Sequence, residues 1–228
     1  MDWLLLYLAL APGLALALFI YWKDKHEKEP VGLLIGCFLL GALMCFPAGM
    51  WNTSLFATFG FNLAGSNGLL LSFLMAFCVV GLGEEFLKYL ILLKYPFSKP
   101  SFNEPFDGIV YSVMISLGFA TLENIYYVMD GGLVVAFLRA VTAVPMHAAF
   151  AIVMGYHVGV AKFQHPLRQK ATCRRGLFWA VALHGGYDFF LFQDSSLWLM
   201  LLVFPIMIYA IVLSRRAMRE HLARSPFQ

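Results

Sequence analysis

Charge is scarce in this 228-residue chain, since only 13% of its residues are Asp, Glu, Lys or Arg while 61% are hydrophobic. Soluble globular domains carry about 25% charged and about 45–50% apolar residues. The mean hydropathy of the whole chain is +0.76. A soluble fold of this length has too little interior for so many apolar side chains. The composition therefore argues against a soluble enzyme, a nucleic-acid-binding protein and a disordered regulator, and it indicates a polytopic membrane protein.

Cysteine is also rare, and the motifs of several enzyme classes are missing. The four cysteines form no C-x-x-C pair, and their positions favour no disulfide framework. The only short glycine pair that resembles a phosphate-binding motif, Gly81-x-Gly83, lies inside an apolar run. No Ser or Cys lies beside a His in a nucleophile arrangement, so serine and cysteine hydrolase mechanisms are disfavoured.

Seven apolar runs predict transmembrane helices, because a crossing needs about 20 apolar residues and the bilayer interior cannot satisfy open backbone groups. We expect one all-α, integral membrane domain over residues 1–228. The predicted spans are Trp3–Trp22, Val31–Trp51, Leu69–Lys94, Phe106–Met129, Leu133–Phe163, Leu177–Phe192 and Ser196–Leu213.

The basic residues predict the orientation of these spans. All but two of the 16 lysines and arginines lie at or in every second connection and in the C-terminal tail, and the intervening connections contain none. Under the positive-inside rule this pattern places the N-terminus outside and the C-terminus in the cytoplasm.

A small set of ionisable residues remains inside the predicted spans. A charge at the bilayer centre costs roughly 2.5–3.5 kcal/mol on insertion scales, so such residues face the bundle interior and are usually functional. The carboxylates are Glu84, Glu85, Glu123 and Asp188, the main imidazoles are His147 and His184, and the cations are Lys88 and Arg139. We interpret Arg139 as a counter-charge or a snorkelling residue, and Asn124 as an interhelical hydrogen-bonding group.

Helical spacing sorts part of this set. Glu84 and Lys88 are four residues apart and share a helix face, whereas Glu85 lies about 100° around the helix. His184 and Asp188 also share a face, and the two glycines between them allow close approach of a neighbouring backbone or a substrate. Counted along its span, Glu123 lies nearer the outer surface than the others.

Two chemical interpretations of the cluster are compatible with hydrolysis. Four carboxylates in a small dry volume cannot all be ionised, so either some carry protons or a metal lies among them. Two His with one carboxylate and a nearby Glu form the ligand-and-base set of a catalytic zinc site. A Glu beside His could also activate water without a metal. Taken alone, Glu84 and Lys88 could instead form a structural ion pair.

Four short motifs in order resemble those of the PrsW family of intramembrane proteases: Glu84-Glu85-x-x-Lys88, Phe119-x-x-x-Glu123, His147 and His184-x-x-x-Asp188. That family is similar to the CAAX prenyl endopeptidase and bacteriocin-processing group, and more distantly to the Aph subunit of γ-secretase. The prenyl-protease branch usually has His where this chain has Glu123 and Asn where it has Asp188. These departures favour the PrsW side.

The resemblance implies a multi-pass protease of the bacterial cell membrane, which makes the first cut in a single-span, membrane-anchored anti-sigma factor under envelope stress. It implies that Glu84 or Glu85 is the water-activating base, and Lys88 on the same face favours Glu84. Glu123, His147 and His184 would bind Zn²⁺ or the activated water, and Asp188 would orient His184 or complete the coordination. A metal-free glutamate mechanism stays open.

Three other functions would use the same residues. A non-catalytic scaffold like the Aph subunit would use the polar cluster to hold partner helices. A prenyl-peptide-processing protease would share the motifs, and a proton- or ion-coupled transporter would use the buried carboxylates as a relay. The transporter is the least favoured, because the chain has no internal symmetry of paired halves.

Overall fold

The computed structural model describes residues 2–63, 65 and 67–227, and all regular secondary structure in them is helical. This confirms the predicted all-α class. A π-helical segment, Met75–Gly81, continues α3 into α4 without a break. The helices are α1 (Trp3–Lys23), α2 (Val31–Phe59), α3 (Leu69–Leu74), α4 (Leu82–Lys94), α5 (Pro105–Val141), α6 (Ala143–Lys162), α7 (Pro166–Phe192), α8 (Leu197–Met200) and α9 (Val203–Leu222).

Five stretches of the described chain are long and apolar enough to cross a membrane, which confirms a multi-pass protein. They are Trp3–Lys23, Val31–Phe59, Leu69–Lys94, Pro105–Lys162 and Leu197–Leu222. The fourth is 58 residues long, far more than one crossing needs. The helix α7 is 27 residues long but is not among the five. Its first half carries basic residues and its second half carries the polar motif around His184. The count of seven crossings and the orientation stay predictions.

The chain reverses direction at Gly132, inside the long stretch that contains α5. Gly132 has φ 70° and ψ −158°, a left-handed backbone conformation that favours glycine. Two contacts show that the residues after Gly132 run back along those before it: Ala136 packs in one cluster with Val128, and Arg139 reaches Glu123. The predicted connection 130–132 therefore coincides with a real reversal of the helix direction.

The predicted continuous helix over Leu133–Phe163 is wrong. Thr142 has non-helical backbone angles, φ −121° and ψ −80°, and separates the end of α5 from α6. Pro145 follows three residues later. Pro145 has no N–H to donate to the carbonyl of Val141, and the break at Thr142 places it in the first turn of α6, where proline is tolerated. A proline alone does not force such a break here, because Pro12 and Pro47 lie inside the continuous helices α1 and α2.

Other predicted boundaries also differ from the structure, and α7 begins at Pro166 rather than at the predicted Leu177. The span predicted to end at Trp51 continues to Phe59, where the left-handed Gly60 (φ 65°) ends α2. The last predicted span, Ser196–Leu213, is a short α8, a turn at residues 201–202 and then α9, which extends to Leu222. In each case hydropathy locates the apolar part of a helix, while the helix itself continues into polar sequence.

The helix α5 lies at the centre of the bundle, packed between α1, α2 and α6. Its contact with α2 is made by glycines on both sides. A Cβ on Gly41 would overlap the carbonyl of Ile115, and a Cβ on Gly118 would overlap the carbonyl of Phe38. Small residues at such crossings let helix backbones approach closely in a membrane. This crossing holds α2 near the carboxylates of α4 and α5.

Candidate active site

The two consecutive glutamates follow directly on the π-helical segment. Segments of this kind occur frequently at functional sites, because the extra residue shifts the side chains that follow it around the axis. Trp51 of α2 fixes the segment from outside, since its Nε1 donates to the carbonyl oxygen of Val79 at 3.2 Å. Glu84 and Glu85 then lie in the first turn of α4, and both are buried.

Lys88 lies between the two glutamates. Its Nζ donates to Glu85 Oε1 at 2.7 Å and lies 3.6 Å from Glu84 Oε2. Spacing on the helix singled out Glu84 as the partner of Lys88, but a residue three positions away is also a neighbour. By these distances the carboxylate closer to Lys88 is that of Glu85, which is 0% exposed.

His184 on α7 lies between two carboxylates. Its Nδ1 is 2.9 Å from Glu85 Oε1, and its Nε2 is 3.4 Å from Asp188 Oδ2. A carboxylate on one ring nitrogen selects the tautomer and fixes the ring orientation. In the structure Glu85 makes the shorter of the two contacts, while the resemblance gave this role to Asp188. The ring of Phe150 stacks on His184 with 5.1 Å between centroids.

The glycines after His184 allow the close approach that was expected of them. The neighbour is the π-helical segment: a Cβ on Gly185 would lie 2.9 Å from the Cα of Phe77. The contact brings α7 against the start of α4, so that His184 reaches Glu85. The helix–helix packing and the hydrogen bond between these two residues therefore depend on the same glycine.

His147 on α6 completes the set of facing imidazoles, with 5.1 Å between its ring centroid and that of His184. Its Nδ1 is 3.1 Å from Lys88 Nζ, and its Nε2 is 3.1 Å from Glu123 Oε2. Because the ammonium of Lys88 can only donate, Nδ1 is the acceptor and Nε2 carries the proton that points to Glu123. Both nitrogens of this ring have partners.

Glu123 joins the site although residue counting placed it nearer the membrane surface. Its Oε2 accepts from Arg139 Nη2 at 2.5 Å, which confirms Arg139 as a counter-charge. Arg139 comes from the returning segment after Gly132 and also donates through Nε to Asn124 Oδ1 at 2.9 Å. Asn124 in turn donates to the carbonyl oxygen of Ala9 on α1 at 2.8 Å, a hydrogen bond between two helices.

Sequence analysis missed one polar residue of the site, Asn52. Its Nδ2 donates to Glu84 Oε1 at 3.2 Å, and its Oδ1 is buried with no hydrogen-bond partner among the described residues. The amide was overlooked because the span was ended at Trp51, which left Asn52 in a connection. A polar amide one residue beyond the predicted end of the apolar run was the available signal.

The donor atoms of the site fit a single metal ion in type and spacing. Glu84, His147 and His184 each offer one ligand atom, and these atoms lie within 4.8 Å of one another. Glu84 Oε2 is buried without a hydrogen bond. One carboxylate and two imidazoles form a known catalytic zinc set. The three residues whose ligand atoms lie close enough to share one ion include Glu84. The sequence prediction instead combined Glu123 with the same two His.

Charge balance also favours an additional cation. The site holds four carboxylates, those of Glu84, Glu85, Glu123 and Asp188, and the two fixed cations Lys88 and Arg139. With neutral imidazoles this leaves two negative charges in a buried volume, which a divalent ion or two protons would neutralise. A metal on His147 would have to displace Lys88 or Glu123 from the ring.

Comparison with known proteins agrees with this geometry. A family model described as PrsW family intramembrane metalloprotease matches residues 29–214. The chain is 38% identical to Protease PrsW of Oceanobacillus iheyensis, over 90% of this chain and 91% of that protein. It is 36% identical to Protease PrsW of Bacillus subtilis, over 88% of this chain and 87% of that protein. No solved structure matches the chain significantly.

These matches cover nearly the whole chain and include all of the clustered side chains. They join the helical architecture and the buried Glu–His site to one enzyme class, a protease that works within a bacterial membrane. The chain therefore belongs to the PrsW family of intramembrane metalloproteases.

Proposed function

We propose that this protease cuts a single-span, membrane-anchored protein with a water molecule activated by Glu84. The observation that carries the proposal is the carboxylate of Glu84. Its Oε2 is buried without a hydrogen bond, and one of its oxygens lies within 4.8 Å of a ring nitrogen of each of the two imidazoles. Glu84 is 3% exposed, so water that reaches it is removed from bulk solvent. A carboxylate in such surroundings is suited to accept a proton from water.

The neighbouring carboxylate is less suited to this task. Glu85 Oε1 already accepts from Lys88 and lies 2.9 Å from His184 Nδ1. Its role in the proposal is to position both side chains. Glu84 has one oxygen on Asn52 and a second that faces the site, so it can take a proton without losing its own support.

The proposed hydrolysis moves one proton through Glu84. Glu84 Oε2 accepts the proton of the attacking water while the new C–O bond forms, and it returns the proton to the amine nitrogen as the C–N bond breaks. His184, between Glu85 and Asp188, and His147, between Lys88 and Glu123, would orient the water and the substrate carbonyl. A Zn²⁺ ion held by the two imidazoles and a carboxylate would polarise the carbonyl and acidify the water.

The position of the site indicates the kind of substrate. Glu84 lies roughly 15 Å along the helix from Lys94, at 1.5 Å rise per residue, and therefore well inside the apolar layer. A peptide bond that reaches it belongs to a protein that is itself in the bilayer. The resemblance in motifs indicates an anti-sigma factor, which would receive its first cut here.

We further propose seven crossings, with the N-terminus outside and the C-terminus in the cytoplasm. Two observations support this count. The 58-residue stretch contains the reversal at Gly132, and α7 is long enough to cross although its polar residues lower its hydropathy. The alternation of basic connections then sets the direction. Cysteine labelling from each side of the membrane tests both statements.

The chemical proposal is tested by co-expression with a single-span anti-sigma factor that carries an epitope tag at each end. We expect two fragments with the unaltered protein and intact substrate with Glu84→Gln. The matched control is Glu29→Gln, another buried glutamate, which lies in the first connection outside the site. This control should cleave normally. Cleavage by Glu84→Gln would refute the proposal.

Metal content of the same purified variants separates the possible roles of the carboxylates. If Glu84 is the base, Glu84→Gln keeps its metal and loses activity. Loss of metal in this variant would show that Glu84 is a ligand. The same comparison with Glu123→Gln tests the ligand set predicted from the sequence. Chelator treatment followed by Zn²⁺ should abolish and then restore cleavage by the unaltered protein.

A further inference from the structure

A groove of about 580 Å³ runs between α1 and α9, and none of the active-site carboxylates lines it. α1 contributes Leu16, Phe19 and Ile20 to one wall, α9 contributes Ile211 to the other, and α5 and α6 form the floor. Its volume is within the range of about 300–1,000 Å³ that is typical of ligand pockets. An apolar groove of this size is suited to a hydrocarbon chain.

One end of the α1–α9 groove is basic. Lys23 at the end of α1 and Arg215 and Arg219, one turn apart on α9, complete its lining. No carboxylate lines the groove in the part of the chain that the structure describes. In that same part, none lies within ion-pair distance of these three cations.

The neighbouring arginine on the same helix is arranged differently. Arg216 is not among the residues that line the groove, and it donates to Glu220 Oε1 at 2.8 Å. The chain therefore neutralises one arginine of this cluster and leaves the two groove-facing ones for a group from outside. Ser214 Oγ on α9 lies 3.2 Å from the carbonyl oxygen of Ala149 on the floor of the groove and 2.8 Å from that of Ala210 in its own helix.

We propose that the α1–α9 groove binds one anionic phospholipid of the cytoplasmic leaflet, with an acyl chain along the apolar part and the phosphate between Lys23, Arg215 and Arg219. Charge complementarity selects an anionic headgroup, and basic pockets between transmembrane helices on the cytoplasmic side commonly bind such lipids. The proposal rests on the orientation proposed above, and it is independent of the cleavage chemistry.

The floor of the groove connects it to the active site. Pro145, Ala148 and Ala149 of α6 line the groove, and His147 lies between them on the same helix and faces the active site. A bound lipid would therefore contact the back of the helix that positions one of the two imidazoles.

Native mass spectrometry of the purified full-length protein, titrated with phosphatidylglycerol or phosphatidylcholine in detergent, tests the proposal. We expect one phosphatidylglycerol to bind in preference to phosphatidylcholine. Each basic group near a membrane surface contributes about fivefold, so the double variant Arg215→Gln/Arg219→Gln should bind phosphatidylglycerol roughly 30-fold more weakly. The charge-matched control, Arg216→Gln/Arg224→Gln, should bind it like the unaltered protein.

A second pair of variants tests the apolar part without changing charge. Ile211→Trp fills the groove and should weaken binding, whereas Ile208→Trp, on the same helix but outside the groove lining, should not. Equal affinity for both lipids, or equal weakening by both arginine pairs, would overturn the proposal. Glu84→Gln should still bind the lipid, so failure of this inference and failure of the proposed chemistry are separate results.

Discussion

Replacement of Asn52 should lower catalysis without lowering substrate binding. Asn52 does not face the other site residues directly, and it acts through the 3.2 Å hydrogen bond from its Nδ2 to Glu84 Oε1. A hydrogen bond to a charged group contributes roughly 1.5–3 kcal/mol. If this energy holds Glu84 in its reactive position, Asn52→Ala should reduce kcat roughly 10- to 150-fold and leave KM nearly unchanged.

The comparison with Asn52→Asp distinguishes positioning from packing. Asp has nearly the shape of Asn, so a packing role predicts that Asp is tolerated better than Ala. In the positioning role Asp is worse than Ala, because it replaces a donor with a negative charge beside the Glu84 carboxylate. The assay is cleavage of the single-span substrate in proteoliposomes, with metal content measured in parallel.

Thr53→Ala is the control for this series, since Thr53 is the next residue on α2 and is exposed. It should cleave at nearly the rate of the unaltered protein. Higher activity of Asn52→Asp than of Asn52→Ala would refute the assigned role, as would a fall in apparent kcat that only matches the loss of folded protein.

Three further predictions concern stability, two at the site and one in the first connection. Arg139→Gln leaves the Glu123 carboxylate without its cation and should cost about 2 kcal/mol of unfolding free energy in thermal denaturation, with recovery in the double variant that adds Glu123→Gln. Gly185→Ala should destabilise by about 1–3 kcal/mol and reduce cleavage, because the methyl group meets the backbone of Phe77, whereas Gly186→Ala meets only the end of a flexible isoleucine side chain and should be milder. Burial and then the nearby Asp107 carboxylate raise the pKa of Glu29 from 4.5 to about 10. The contribution of Glu29 to the free energy of unfolding is therefore fully present below about pH 4.5 and is lost as pH rises toward 10. Glu29→Gln should raise the melting temperature at pH 8 relative to the unaltered protein and have little effect at pH 4.

Much of the site follows from the sequence, because a charged residue in hydrocarbon is costly whatever its neighbours are. This principle alone selects Glu84, Glu123, His147, His184 and Asp188, and the structure brings them together around one buried volume. The spacing of residues on one helix predicted less well which side chains form hydrogen bonds and ion pairs with each other. These pairs depend on how the helices cross, and the sequence of a single helix does not determine its crossings.

The partners of Lys88 illustrate that limit. Spacing at i and i+4 favoured Glu84, but Lys88 lies closer to Glu85. The π-helical segment just before these residues changes which side chains face α7, and hydropathy does not reveal such a segment. Glu123 is a similar case, because only the reversal at Gly132 brings Arg139 back alongside it.

The fold shows the same division between local and long-range information. The apolar runs identified the helices, but Pro145 alone did not predict the break at Thr142, because Pro12 and Pro47 lie inside continuous helices. The extent of α2 and α9 was not foreseeable either, because a helix that leaves the apolar layer keeps its hydrogen bonds while its composition changes. Asn52 was missed for that reason.

The distribution of the reactive groups over α4, α5, α6 and α7 has a consequence for biosynthesis. His184 and Asp188 come from α7, the latest of these helices to be made, and each earlier contributor holds only part of the reactive set. A growing polypeptide that has not yet delivered α7 to the bilayer has a single imidazole at this point. If hydrolysis needs both imidazoles, as proposed, a nascent chain without α7 is inactive toward other membrane proteins.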